Sequence, residues 1–271
     1  MRKLICLLTF SVFALTASAT GDPIASGAQA RAMGGASLTL NGVWASMQNQ
    51  AAMVGINGFA AGVSYDNRFL VSELSSANLV IAKSIGDGVF GLNFSRYGYS
   101  AYREQKLGFG YARRLGENFN IGVQIDYLQV ALGNGYGSTG KLTWEGGVLY
   151  KVNDNISLAA HIFNPIRVQL AEFNDERIPA ILRFGGNYRF SERVLLTAQL
   201  DKSIDYDVIV GAGLEYMVVN DIFVRAGVSG GNSLFSFGAG YRFKGFQIDI
   251  ATSYHQVLGF SPQLGLTYNG R

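Results

Sequence analysis

The sequence contains few of the residues that a disulfide-stabilised or thiol-dependent protein would need. It has one cysteine and two histidines in 271 residues. The cysteine, Cys6, lies in an apolar stretch at the start of the chain, so the rest of the chain cannot form a disulfide, a reactive thiol or a cysteine-bound metal site. After that stretch, no segment reaches the roughly 18 apolar residues that a transmembrane helix requires.

Charged residues and proline are also scarce. Charged residues make up 15% of the sequence, there are four prolines, and the formal net charge is +3. Loss of Arg2 and Lys3 with an export signal would lower that charge to +1, so nucleic acid is not an expected partner. In contrast, the chain contains 35 glycines, 18 phenylalanines and 14 tyrosines. This composition favours short strands with aromatic ends over a helical or mixed α/β fold.

The first residues match a secretory signal peptide, predicted here as residues 1–19. Arg2 and Lys3 precede an apolar stretch from Leu4 to Leu15, and the small residues Ala17-Ser18-Ala19 follow. The apolar stretch is about a dozen residues long, which is too short to cross a bilayer as a helix. We therefore expect export of the chain and cleavage after Ala19.

From Gly58 onward, apolar and polar residues alternate with the period of two that is typical of β-strands. The clearest example is Phe119 to Tyr127, where Ile121, Val123 and Ile125 share one face and polar residues occupy the other. Runs of this kind predict about fourteen strands, at 58–66, 72–85, 88–98, 104–115, 118–132, 139–152, 155–164, 179–190, 193–203, 207–218, 221–229, 232–243, 245–256 and 261–269.

The links between these strands alternate in length. Tight polar turns such as Gly86-Asp87-Gly88 and Asn153-Asp154 favour β-hairpins. Most of the links between them are longer, and the longest, from Pro165 to Ile178, is either a ligand-contacting loop or an ordinary solvated one. Short turns at one rim and longer loops at the other predict an all-β fold, a transmembrane antiparallel β-barrel of about 14 strands.

Charged side chains fall on the polar face of the predicted strands. A closed barrel can hydrate or pair them in its lumen, whereas a soluble β-sandwich, which alternation alone does not exclude, would leave this face in water. The mixture of signs favours pairing with each other or with a plug over an open ion channel. The candidate lumen-facing residues are Asp126, Glu145, Arg183, Arg189, Asp201, Glu215, Arg225 and Asp249.

The sequence does not predict an enzyme. His161 falls on the polar face and His255 near a rim, without a G-x-S-x-G or H-E-x-x-H motif. Hydrogen-bonded histidines of the lumen and rim account for both. No cofactor and no metal site is predicted. Aromatic residues gather near predicted strand ends, where a ring with a polar tip suits the membrane interface, although carbohydrate stacking would use the same residues.

A motif precedes the first strand. It runs from Ser26 to Leu40 and contains Arg31-Ala32-Met33-Gly34-Gly35-Ala36, and it continues from Trp44 to Met53. This segment resembles the N-terminal segment of FadL-like outer-membrane transporters, including the PorV/PorQ-like group of Bacteroidota. In those families a G-x-x-A-x-x-M-G-G-A stretch precedes a small-residue helix, an N-P-A-G-L-like motif and a fourteen-stranded barrel. Gln50 and Ala52 depart from that second motif.

The resemblance implies that residues 20–57 form a plug inside a barrel of residues 58–271. Gly34 and Gly35 can adopt positive φ and allow a close approach of backbone to backbone. A flexible linker after the signal peptide is the alternative. The plug or gating candidates are Arg31, Met33, Gly34, Gly35, Trp44 and Asn49.

The resemblance also implies a function in the outer membrane, among outer-membrane lipids. The leading hypothesis is passage of small hydrophobic molecules across that membrane. The first alternative is an accessory barrel of a protein secretion system, whose partners would be secretion-system proteins instead of a hydrophobic small molecule. A soluble secreted β-protein is the second alternative.

Overall fold

A computed structural model describes residues 27–133, 137–169, 177–205, 207–230 and 235–270. The predicted signal peptide, with Cys6, lies outside these ranges. Fourteen antiparallel strands form a closed barrel. The strands are β1 (Phe59–Asn67), β2 (Ser75–Ile85), β3 (Gly88–Gly98), β4 (Tyr102–Leu115), β5 (Phe119–Leu132), β6 (Gly137–Lys151), β7 (Ile156–Phe163), β8 (Ile181–Ser191), β9 (Val194–Ser203), β10 (Ile209–Val219), β11 (Ile222–Ser229), β12 (Phe235–Phe243), β13 (Phe246–His255) and β14 (Gly259–Asn269).

Each strand pairs with its neighbours in chain order, and β1 closes the ring by pairing with β14. The predicted fourteen-stranded antiparallel barrel is therefore confirmed, and a two-sheet β-sandwich architecture is excluded. Several predicted strand boundaries differ from the observed ones by one to three residues. Residues Ser72–Leu74 form a 3₁₀ turn instead of the start of β2, and β14 begins at Gly259, within a predicted loop. Residues 170–176 of the predicted long loop, and 231–234, lie outside the described residues.

The strands carry apolar side chains outward and polar side chains inward. In β5, Val123 and Ile125 are 52% and 62% exposed, whereas the intervening Gln124 and the following Asp126 are buried. An apolar outer face around a polar interior is the arrangement of a transmembrane barrel. Among the described residues, no helix has both the length and the apolar character needed to cross a membrane.

The N-terminal segment, described here from residue 27 to residue 57, contains one short helix, α1 (Ala28–Ala32), and the 3₁₀ stretches Val43–Met47 and Gln50–Gly55. Its buried apolar side chains pack against inward-facing side chains of the barrel wall. This inner apolar cluster lies toward the rim of short turns. Its largest members are Leu38, Val43, Met53 and Ile56 from the segment and Val80, Val89 and Leu149 from the wall.

Candidate functional site

The site is the contact between the N-terminal segment and the barrel wall. At Met33-Gly34-Gly35 the segment touches the wall backbone to backbone. Gly34 and Gly35 have φ angles of +64° and +80°. A Cβ atom at Gly34 would lie 2.7 Å from the carbonyl oxygen of Ala212, and one at Gly213 would lie 2.6 Å from Cα of Met33. Larger residues at these positions would therefore push the segment away from the wall.

Polar side chains attach the segment to strands β1 and β14. Arg31, whose side chain is 11% exposed, forms an ion pair with the buried Asp66 at 2.6 Å between Nη2 and Oδ2. The indole Nε1 of Trp44 donates to Oγ1 of Thr267 at 2.9 Å. Removal of one member of a buried pair leaves the other unsatisfied, which costs more than the net value of the bond. These contacts therefore favour one position of the segment.

Buried amide side chains make further bonds to backbone atoms. Asn49 Nδ2 donates to the carbonyl oxygen of Leu38 at 2.9 Å and to that of Val148, in the wall, at 3.2 Å. Gln199 Oε1, on β9, accepts from the backbone N–H groups of Ser37 and Leu38 at 2.9 and 3.1 Å. Because the segment has little regular secondary structure, these side chains satisfy backbone groups that a longer helix would pair internally.

An ion cluster lies on the inner wall beside the segment. Glu145 Oε1 accepts from Lys106 Nζ at 2.8 Å, from Gln124 Nε2 at 2.5 Å and from Gln50 Nε2, in the segment, at 2.9 Å. Lys106 Nζ also lies 3.4 Å from Asp126 Oδ1. Burial of these two carboxylates is tolerable because a cation and amide donors surround them.

This cluster continues along the wall to β9. His161 Nε2 lies 3.5 Å from Glu145 Oε2, and Arg183 Nε lies 3.9 Å from Asp201 Oδ2. Strands β4 to β9 thus each contribute one ionisable side chain to this cluster. We call the set the central ion cluster, and its members are Lys106, Asp126, Glu145, His161, Arg183 and Asp201.

A second ion cluster lies on β10, β11 and β13. Arg225 donates from Nε to Glu215 Oε2 and from Nη1 to Asp249 Oδ1, both at 2.6 Å. Gln29, in the segment, donates to the same Glu215 oxygen at 2.8 Å. The Arg225 side chain is only 1% exposed, so its charge depends on these two carboxylates for compensation.

The structure brings most of the charged candidates into these two clusters, but it leaves Arg189 apart. Arg189 is exposed and lines a polar cavity at the short-turn rim together with Lys151, Asp154 and Glu215. Sequence reasoning missed Lys106 and Asp66. Each of them shares the inward face of its strand with glycines or serines two positions away. That two-residue pattern could have identified both. In the part of the chain that is described, no group of three or more His, Cys, Asp or Glu side chains is arranged so that it could hold a metal ion.

No family model and no curated protein matches the sequence, but solved structures match the fold. The CymD monoaromatic hydrocarbon channel gives a TM-score of 0.71 at 13% identity, covering 90% of this chain and 97% of that chain. The P. putida toluene transporter TodX gives 0.65 at 14%, covering 92% and 100%. A Pseudomonas aeruginosa FadL homologue gives 0.66 at 14%, covering 89% and 98%. The chain therefore has a FadL-like barrel fold.

Proposed function

We propose that this protein resides in the outer membrane and passes small hydrophobic molecules across it, with residues 20–57 as a movable plug. The apolar outer face supports membrane residence, because charged side chains there would be destabilising. The similar structures CymD and TodX are described as a monoaromatic hydrocarbon channel and a toluene transporter. Transfer of that activity to this chain rests on fold-level analogy.

The inner apolar cluster is the observation that carries the proposal. Toward the short-turn rim, the segment and the wall meet through side chains such as Met53 and Leu149, which are at most 1% exposed. A passing apolar molecule can replace these contacts with little loss of hydrophobic stabilisation. The hydrogen bonds at Arg31, Asn49 and Gln199 define the resting position. Those of Asn49 and Gln199 contribute only about 0.5 to 1.5 kcal/mol each net, and the charged one at Arg31 about 1.5 to 3 kcal/mol.

A disulfide tether tests whether the plug must move. Cβ of Ala28 lies 3.5 Å from the position that a Cβ atom at Gly265 would take, within the roughly 3.5 to 4.5 Å of disulfides. Cys6 lies in the predicted signal peptide and would not compete. We expect the oxidised Ala28→Cys/Gly265→Cys variant to lose toluene uptake by intact cells and to regain it after reduction.

The controls distinguish the position of the N-terminal segment from its movement. Each single-cysteine variant should retain uptake under oxidising conditions. A second tether, Leu38→Cys/Gly185→Cys, has the corresponding atoms 3.4 Å apart and should behave like the first. Failure of both disulfides to form would overturn the position of the segment. If the disulfides form and uptake is unchanged, the segment does not need to move. If deletion of the gene leaves uptake unchanged, the proposed passage of hydrophobic molecules is wrong.

The second candidate function is an accessory barrel of a protein secretion system, as in the PorV/PorQ-like group. The central ion cluster favours it, because an apolar molecule that enters from the loop rim would have to displace solvation or partners of buried charges. For this function, gene deletion should lower surface levels of secreted proteins and leave toluene uptake unchanged. Release of the native protein by carbonate without detergent would contradict both functions.

A further inference from the structure

A separate polar site lies on the inner wall where β13, β14 and β1 meet, toward the loop rim. Gln263 on β14 is directly opposite Asp66 on β1. Across β13, Gln263 is opposite Ala251, and Ser253 is the next inward-facing residue toward the loop rim. Arg31 reaches the same place from the N-terminal segment through its 2.6 Å ion pair with Asp66. We call Arg31, Asp66, Ser253 and Gln263 the entrance cluster.

The entrance cluster contains buried polar atoms that have no hydrogen-bond partner among the described residues. They are both amide atoms of Gln263, Oγ of Ser253, Oδ1 of Asp66 and Nε of Arg31. Gln263, Ser253 and Asp66 are 4%, 1% and 0% exposed. Burial of an unsatisfied polar atom costs about 1 to 3 kcal/mol, so several in one place call for a binding role or for bound solvent.

A strained turn lies beside the cluster. Arg68–Leu70 joins β1 to the next turn, and Phe69 and Leu70 have φ angles of +55° and +59°. The backbone N–H of Phe69 donates to Oγ of Ser261, an inward-facing neighbour of Gln263, at 3.0 Å. The Phe69 ring meets the His255 ring edge to face, with centroids 5.9 Å apart. Such backbone strain costs about 1 to 3 kcal/mol per residue and concentrates at ligand clamps.

The chemistry of the cluster selects among ligands. An apolar molecule would satisfy none of its atoms. An anion would meet the Asp66 carboxylate and a cation would meet the Arg31 guanidinium, and these two charges already neutralise each other. The remaining atoms are a mixture of donors and acceptors, and a hydroxyl group can serve both because it donates and accepts. The Phe69 ring adds an apolar surface.

We propose that the entrance cluster binds a neutral polyhydroxylated molecule, a sugar or a polyol, beside the turn that carries Phe69. Hydroxyl groups of the ligand pair with Gln263, Ser253 and Asp66, and the turn opens to admit the ligand. This binding is independent of hydrophobic passage and needs no movement of residues 27–57.

Saturation-transfer NMR on the purified full barrel tests the proposal, with D-glucose and glycerol as probes. The detergent must lack a sugar head group. We expect saturation transfer to glucose with the native protein and a loss of affinity of about tenfold or more in Gln263→Leu and Ser253→Ala, the effect of losing one good hydrogen bond. Thr252→Val is the matched control, because Thr252 neighbours Ser253 but faces outward, and it should bind like the native protein.

Three outcomes would overturn the proposal. Transfer to neither glucose nor glycerol would mean that the buried atoms are only hydrated. Equal loss in Thr252→Val and Ser253→Ala would mean binding elsewhere on the barrel. Competition by toluene would mean an apolar site. Heat-modifiable migration on a gel shows that each variant is folded, and Ser253→Ala removes only one oxygen atom, so a folding defect in Gln263→Leu leaves the test intact.

Discussion

Replacement of Gly34 by alanine should release the N-terminal segment from the wall without unfolding the barrel. The added Cβ atom would contact the Val228 carbonyl oxygen and lie 2.7 Å from that of Ala212, at a φ angle of +64°. The left-handed conformation costs an alanine roughly 1 to 2 kcal/mol, and forced overpacking costs roughly 1 to 3 kcal/mol more. A combined cost of about 2 to 5 kcal/mol would raise the released fraction roughly thirtyfold to a few thousandfold.

Limited trypsin digestion detects the release of the N-terminal segment directly. Arg31 is the only lysine or arginine between residues 27 and 57, and in the docked segment it is paired with Asp66. We expect Gly34→Ala to be cleaved after Arg31, with a new N-terminus at Ala32, while the native barrel resists. Heat-modifiable migration should persist in the variant, because the register of the barrel strands is set elsewhere.

Gly86→Ala is the matched control. Gly86 has a similar φ angle of +59°, but nothing lies within 4 Å of its added Cβ atom. It therefore carries the same conformational cost without contact with the segment, and its cleavage at Arg31 should match the native pattern. Equal protection of Arg31 in Gly34→Ala and the native protein would refute the close-contact reasoning. Ready cleavage of the native barrel would mean an exposed linker.

Two further substitutions test the faces of the wall. Val123→Arg, at a position that is 52% exposed on the outer face, should lower the free energy of unfolding in lipid by about 2 to 4 kcal/mol near the bilayer midplane. Val123→Leu should change it little, and equal stability of the two variants would argue against a membrane-facing position. Asp249→Ala leaves the buried Arg225 without one of its carboxylates and should cost about 3 to 5 kcal/mol in urea unfolding. Asp87→Ala breaks an exposed ion pair and should have a much smaller effect, so similar losses would show that the Arg225 pair is effectively solvated.

Much of the wall could be predicted because each strand carries its own two-residue pattern. Phe119 to Tyr127 indicates which side faces lipid before any partner strand is known. Boundaries were less certain where the pattern is ambiguous. Ser72 to Leu74 runs into β2 with no glycine or proline between them, yet these residues form a 3₁₀ turn, because local sequence cannot tell whether a partner strand lies alongside.

The sequence by itself determined the strand count, the antiparallel hairpin order and the inward position of residues such as Asp126 and Arg225, because these depend on local alternation and turn chemistry. Only the tertiary structure decided which charges meet. Gln29 and Glu215, or Arg31 and Asp66, share no local pattern, and closure of the ring between β1 and β14 decides which side chains lie opposite each other. The physical reason is that hydrogen bonds and ion pairs require approach to within about 3 to 4 Å, which sequence distance does not encode.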